Sequence, residues 1–156
     1  MSRRIAIICH DVEGNALGRA IVLAELLQPA AEVRIVGFGK RVWAPAAHVP
    51  VTLLDPPRTT AHLPAAARQL ARAVRNETVL VASKTRILSY GLAAMVRGRR
   101  PHILDIDDLE RVFVRRRLGW LRQLIEPDRE PITRFLERIP AEAKAIAVAS
   151  LELQRK

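Results

Sequence analysis

Six short apolar runs, separated by loop-like or helix-patterned stretches, dominate the hydrophobic pattern of the chain. The runs are rich in β-branched residues and nearly continuous rather than alternating, which is typical of strands covered on both faces of a parallel sheet. We therefore predict six strands, at residues 5–9, 33–38, 51–54, 78–82, 102–106 and 145–149.

Helical periodicity fills most of the intervals between these strands. Residues 14–28, 62–76 and 86–97 repeat apolar positions at helical spacing, and Pro64 suits a first helical turn. Residues 39–50 carry prolines without a period and predict a loop. Strand–helix–strand order of this kind predicts a Rossmann-like α/β fold: a doubly wound, mostly parallel sheet of about six strands in three α/β/α layers. We expect residues 1–156 to form one such domain.

Length and composition support a single globular domain. The 156 residues are 49 % hydrophobic, yet no apolar run reaches the roughly 18 residues of a membrane span. The apolar run after Arg3 and Arg4 is shorter than the apolar region of a secretory signal, about 7–15 residues. The single cysteine, Cys9, excludes a disulfide framework. These features predict a cytoplasmic protein.

Polar side chains follow the predicted strands at the point where each strand ends. In an open parallel sheet the carboxyl ends of the strands meet at one edge, and ligands bind in the crevice beyond them. The sequence therefore predicts a ligand crevice lined from these residues: His10, Asp11, Glu13, Gly14, Asn15, Asp55, Ser83, Lys84, Thr85, Asp107, Asp108, Glu110 and Ser150.

The loop after the first strand is a candidate contact for a phosphate. Gly14 would let a ligand approach the backbone, and the following helix N-terminus offers free N–H groups. The loop has neither a P-loop nor a G-x-G-x-x-G motif, so a turn glycine is the better explanation of Gly14 taken alone. The predicted substrate-binding residues are Asp11, Gly14, Asn15, Ser83 and Lys84.

Three aspartates near the end of the fifth strand invite a metal interpretation, since hard cations take carboxylate oxygens. Local hydrogen bonding by Asp105 and helix capping by Asp108 explain the cluster better, so we expect neither a metal nor a cofactor. Asp107 and Asp108 are candidate general bases. His10 is a candidate proton shuttle, with an ordinary turn residue as the alternative.

A basic amphipathic segment occupies residues 111–125. With 26 basic and 16 acidic residues, the chain carries a net charge of +10, which favours an anionic partner. On a helical wheel of this segment, positive charges flank an apolar face that contains a tryptophan. This pattern suits a helix that lies at the surface of an anionic membrane. A helix packed on its own domain has the same pattern. An aromatic content of 4 % argues against nucleic acid. The predicted surface residues are Arg115, Arg116, Arg117, Trp120 and Arg122.

Taken together, "RIAIICHD", the Gly14 loop, "EVRIVGFG", "TVLVASK", "HILDIDDLE" and "AIAVASLELQ" resemble the N-terminal, acceptor-side domain of GT-B glycosyltransferases, most closely the retaining group-1 (family 4) type. The resemblance implies that the Gly14 loop lies near the donor diphosphate, and that Asp107 and Asp108 face the acceptor. The implied acceptor is a glycan or a lipid-linked molecule, which would suit an enzyme held peripherally on the inner face of the membrane.

Members of that family bind the nucleotide sugar with a second Rossmann-like domain. We find no counterpart of it within the 156 residues and expect the chain to be inactive without such a domain or a partner chain. Two interpretations from other classes remain open. One is a receiver-like phosphoacceptor module that uses Asp11, Asp55 and Lys84; the other is a basic module that binds nucleic acid or membrane.

Overall fold

The structure is a computed structural model that describes residues 3–107, 130–138 and 143–148. Its six strands form one parallel sheet in the order β3-β2-β1-β4-β5-β6. This is the Rossmann strand order, and it confirms the predicted fold class. The strands are β1 (Arg4–Cys9), β2 (Glu32–Phe38), β3 (Val51–Leu54), β4 (Val79–Ser83), β5 (His102–Ile106) and β6 (Ala145–Val148).

Four α-helices accompany these strands within the described part of the chain: α1 (Ala16–Leu27), α2 (Leu63–Ala73), α3 (Leu92–Val96) and α4 (Glu130–Arg138). Residues 39–50 are a loop, as predicted, apart from one 3₁₀ turn at Ala44–Ala46. The helix predicted over 86–97 is divided, because a π-helical turn at Ile87–Gly91 precedes α3. The pattern did not predict α4, and residues 111–125 lie outside the described residues.

The two faces of the sheet bury separate apolar cores. Successive side chains on a strand point to opposite faces. On one face, Ile7 and Val81 pack with α1 residues such as Leu17 and with the loop after β2. On the other, Ile8 and Leu80 pack with residues of α2, α3 and α4. Each fully buried aliphatic side chain contributes about 1.5–3 kcal/mol, so the two cores fix the three-layer arrangement.

Burial of the strands follows their place in the sheet. The central strands β1 and β4 are almost wholly buried, as the continuous apolar runs predicted. The prediction that the strands are buried on both faces of the sheet is wrong for β3 and β6. Leu53 in β3 is 41 % exposed and Ile146 in β6 is 43 % exposed. Both are edge strands, with one neighbouring strand rather than two. In the part of the chain that is described, no helix is long and apolar enough to cross a membrane.

Candidate functional site

The strand order reverses between β1 and β4, and this switch point is where ligands bind in open α/β sheets. Cys9 of β1 lies opposite Ser83 of β4, which in turn lies opposite Asp105 of β5. The polar residues after these strands therefore emerge side by side. The structure brings together His10, Lys84 and Asp107 at one edge, which is what the pattern of strand ends predicted.

The loop after β1 is anchored on the β2 side of this edge. Val12 is fully buried; its N–H donates to the carbonyl of Phe38 (3.1 Å), and its carbonyl accepts from the N–H of Trp43 (2.8 Å). A Cβ on Gly37 would lie 2.3 Å from Val12 Cγ1. Glycine at residue 37 is therefore what allows the loop to cross the end of β2 and deliver the chain to the start of α1.

Asp11 organises the turn that leads into α1. One oxygen of its carboxylate accepts from the N–H of Glu13 (2.8 Å), and a Cβ on Gly14 would lie 2.9 Å from the other. The absence of a side chain at Gly14 thus accommodates Asp11. Asn15 makes no side-chain cap bond, and the first turn of α1 contains no acidic residue. The helix N-terminus consequently keeps its partial positive charge towards the edge.

Lys84, directly after β4, has an unusual backbone. Its φ of 75° lies in the left-handed region, which costs a residue with a side chain about 1–2 kcal/mol. Its N–H donates to the carbonyl of Asp105 (2.9 Å), its carbonyl accepts from Ser89 Oγ (2.8 Å), and its Nζ lies 3.2 Å from Asp107 Oδ1. These contacts hold the lysine in place, and strained residues held in this way cluster at functional sites.

Asp105 makes a long-range ion pair. Its carboxylate, 1 % exposed, accepts from Nε (2.8 Å) and an Nη (2.6 Å) of Arg19 in the first turn of α1. The prediction that Asp105 hydrogen-bonds locally was wrong, because the partner lies 86 residues away. The hydrogen bond to Asp105 also raises the pKa of Arg19. Charge-assisted bidentate pairs are strong and directional, so this one ties α1 to the end of β5.

His10 is uncharged near neutral pH. Burial, followed by the positive charges of Arg86 and Lys84, lowers its pKa to about 3. Its Nδ1 is buried and has no hydrogen-bond partner in the described part of the chain. An imidazole with this pKa is a weak base. The predicted role of His10 as a proton shuttle remains a prediction, and it would require a bound anion to raise that pKa.

Asp55 lies apart from the other candidates. It follows the edge strand β3, and β2 separates it from β1 and Asp11 by two strand spacings, about 10 Å. It lines a separate cavity of about 240 Å³ with Arg58 and His62. A receiver-like arrangement places β3 next to β1, so this topology does not support the phosphoacceptor interpretation.

Several of the predicted site residues lie outside the described residues. Two site residues that the structure describes were also not predicted from the sequence. Asp108, Glu110, Arg115, Arg116, Arg117, Trp120, Arg122 and Ser150 fall in the first group. Arg19 and Arg86 are in the second. Arg19 could not be found from sequence, since nothing local links a helix residue to an aspartate in β5. Arg86 could have been included, because it directly follows the polar end of β4.

Within residues 3–107, 130–138 and 143–148, no group of three or more His, Cys, Asp or Glu side chains could hold a metal ion. The site instead consists of hydrogen-bonding groups of both charges around a helix N-terminus. Comparison of the chain with models of known protein families, and separately with curated proteins, found no match.

Proposed function

We propose that the chain is the acceptor-binding half of a retaining GT-B glycosyltransferase, which transfers a sugar from a nucleotide sugar to a glycan or lipid-linked acceptor. A second α/β domain, in the same polypeptide or in a partner chain, supplies the donor site. Three things support the proposal: the ordered sequence resemblance, the Rossmann-like sheet, and the polar edge at its switch point.

The observation that carries the proposal furthest is Lys84. A glycine would adopt its left-handed backbone without strain, yet the residue is a lysine whose ammonium group lies 3.2 Å from Asp107. A side chain kept at such a cost is better explained by ligand binding than by folding. Lys84 and Asp107 together offer a donor and an acceptor to a hydroxyl group.

Each group then has a distinct role in the proposed transfer. Asp107 accepts a hydrogen bond from the acceptor hydroxyl and is the candidate base, with Lys84 holding its carboxylate in position. The N-terminus of α1 favours the negative charge of the donor diphosphate. His10, uncharged, is a candidate for hydrogen bonding with the ligand rather than for charge stabilisation. Asp108 is a further candidate base from the sequence resemblance.

Glycan binding by the whole chain tests this function. Labelled protein is applied to immobilised glycans and lipid-linked saccharides, and we expect retention by at least one of them. Lys84→Met and Asp107→Asn should each weaken retention about ten-fold or more, because a hydrogen bond to a charged group is lost. Asp55→Asn, at the edge strand, is the matched control and should bind as the unmodified chain does.

Two kinds of result would count against the proposal. One is equal retention by the Lys84, Asp107 and Asp55 variants, or no retention of any glycan. The other is turnover of a nucleotide sugar by this chain without a second domain or polypeptide, because the proposal assigns donor binding to that second unit.

A further inference from the structure

We propose that Arg19 and Asp107 together bind a vicinal diol of the acceptor sugar, and that Asp105 is the residue that positions Arg19 for this purpose. This inference rests on the proposed function and adds to it. It assigns a binding residue on α1, a positioning residue in β5 and a neutral, polyhydroxylated ligand class.

The geometry of Arg19 leaves part of its guanidinium group unused. A guanidinium carries five N–H donors in a planar fork. Asp105 engages the edge formed by Nε and one Nη, and the described residues give Arg19 no other hydrogen-bond partner. The Arg19 side chain is 28 % exposed whereas Asp105 is 1 % exposed. The Arg19 side chain thus keeps access to solvent, and its bidentate bond to the buried Asp105 fixes the plane of the guanidinium group.

A hydrogen-bond acceptor faces the same space. Asp107 follows Asp105, the partner of Arg19, by two residues at the end of β5, and its negative charge also acts on Arg19. Oδ1 of Asp107 lies 3.2 Å from Lys84 Nζ, yet it is buried and has no hydrogen-bond partner among the described residues. A hydroxyl group both donates and accepts. Adjacent hydroxyls on a sugar ring can thus accept from Arg19 and donate to Asp107 at the same time.

The charges directly around Arg19 favour a neutral ligand over a phosphate. The residues Arg19, Lys84, Asp105 and Asp107 form two ion pairs whose formal charges cancel. A phosphate is held best by uncompensated positive charge, and each carboxylate here would repel it. Neutral hydroxyl groups meet no such repulsion and can use donors and acceptors together.

A buried hydroxyl next to this cluster adds independent support. Ser83 lies opposite Asp105 in the sheet register, so both side chains point to the face that α1 covers. Ser83 Oγ is buried without a hydrogen-bond partner in the described part of the chain. Polar atoms left in this way usually bond to an ordered water or a ligand, which indicates that the cluster is completed by a further group.

NMR titration with methyl glycosides of glucose, galactose, mannose and N-acetylglucosamine tests the inference on the full chain. The decisive variant is Arg19→Gln/Asp105→Asn, which removes both charges and retains a hydrogen-bonding pair. We expect its dissociation constant for the best glycoside to rise about ten-fold or more. The matched control is Arg34→Gln/Glu77→Gln, which changes the same chemistry at the other end of the sheet and should bind normally.

Two further measurements keep the test decisive if the double variant folds poorly in a thermal melt. Arg19→Lys retains an ion pair with Asp105 but lacks the planar fork, and it should also weaken binding. A deoxy analogue lacking one hydroxyl of the diol should bind the unmodified chain less tightly and the Arg19→Lys variant about as tightly as the parent glycoside.

The outcomes separate this inference from the proposed function. If the unmodified chain binds a glycoside and the Arg19 variants bind it equally well, the roles of Arg19 and Asp105 are overturned while the proposed function stands. If inorganic phosphate binds at Arg19 and no glycoside does, the diol assignment is overturned. If neither this titration nor the immobilised glycans give binding, both proposals fail.

Discussion

The two ends of the sheet place different residue types in a left-handed backbone conformation. At the amino end, the left-handed backbone position before β5 is occupied by Gly98, with φ of 57°. At the carboxyl end, the corresponding strained position after β4 is occupied by Lys84, with φ of 75°. Glycine adopts this conformation readily, and lysine does so only at a cost. Glycine therefore suits the backbone at residue 98, whereas lysine at residue 84 is retained at a cost in stability.

Pairs of a buried acid and a partly exposed arginine show a related contrast. At the amino end, Glu77 pairs with Arg34 (2.8 Å), and Arg34 also donates to the carbonyl of Ala73 at the end of α2. Nearby, Arg100 donates to the carbonyls of Val74, Val96 and Arg97. These arginines satisfy helix C-termini, a structural use. The carboxyl-end pair of Asp105 and Arg19 leaves guanidinium donors unused, and unused donors at a switch point are what a ligand needs.

Breaking either pair should produce the largest effect on stability. Arg19→Leu leaves Asp105 buried without a partner, and Arg34→Leu does the same to Glu77, which is 6 % exposed. We expect each variant to lose about 3–5 kcal/mol of unfolding free energy, as measured by urea denaturation. Replacing both members of a pair with leucine should recover most of the loss. A loss below about 1 kcal/mol for Arg19→Leu would contradict the account of Asp105.

Acid should destabilise the carboxyl end through His10. Because its folded pKa, about 3, lies below the ordinary value of 6.5, the unfolded state binds more protons between these values. Stability therefore rises with pH across that window and is fully present above pH 6.5. At pH 5 the penalty is about 2 kcal/mol relative to pH 7. His10→Gln should flatten this part of the urea-denaturation profile, and an unchanged slope would show that His10 is not buried as described.

Glycine and alanine at the two left-handed positions should give a smaller effect. At residue 84 and at residue 98, glycine should be more stable than alanine by about 0.5–1 kcal/mol, because the penalty for a side chain exceeds the entropy cost of glycine. Thermal melts of Lys84→Gly, Lys84→Ala and Gly98→Ala provide the comparison. Glycan binding should be lost in both Lys84 variants and retained in Gly98→Ala. If Lys84→Ala is as stable as Lys84→Gly, the claim that the backbone of Lys84 is strained is wrong.

The sequence could predict the sheet because continuous apolar runs and helical periodicity are local patterns. All six strands lie within a residue or two of the predicted bounds, and the parallel orientation brings their polar ends to one edge. What the pattern could not predict depends on contacts between distant residues. The pairing of Arg19 with Asp105, the strain at Lys84 and the lowered pKa of His10 all arise only when β1, β4, β5 and α1 are assembled.

The most direct measurement of the central claim is a backbone amide NMR map of the full chain during titration with a bound glycan. We predict that the shifts concentrate at residues 10–19, 83–86 and 105–107, around the carboxyl ends of β1, β4 and β5. Shifts concentrated instead around Arg34, Glu77 and Gly98 at the amino end, or around the cavity beside Asp55, would contradict the claim that the switch-point edge binds the acceptor.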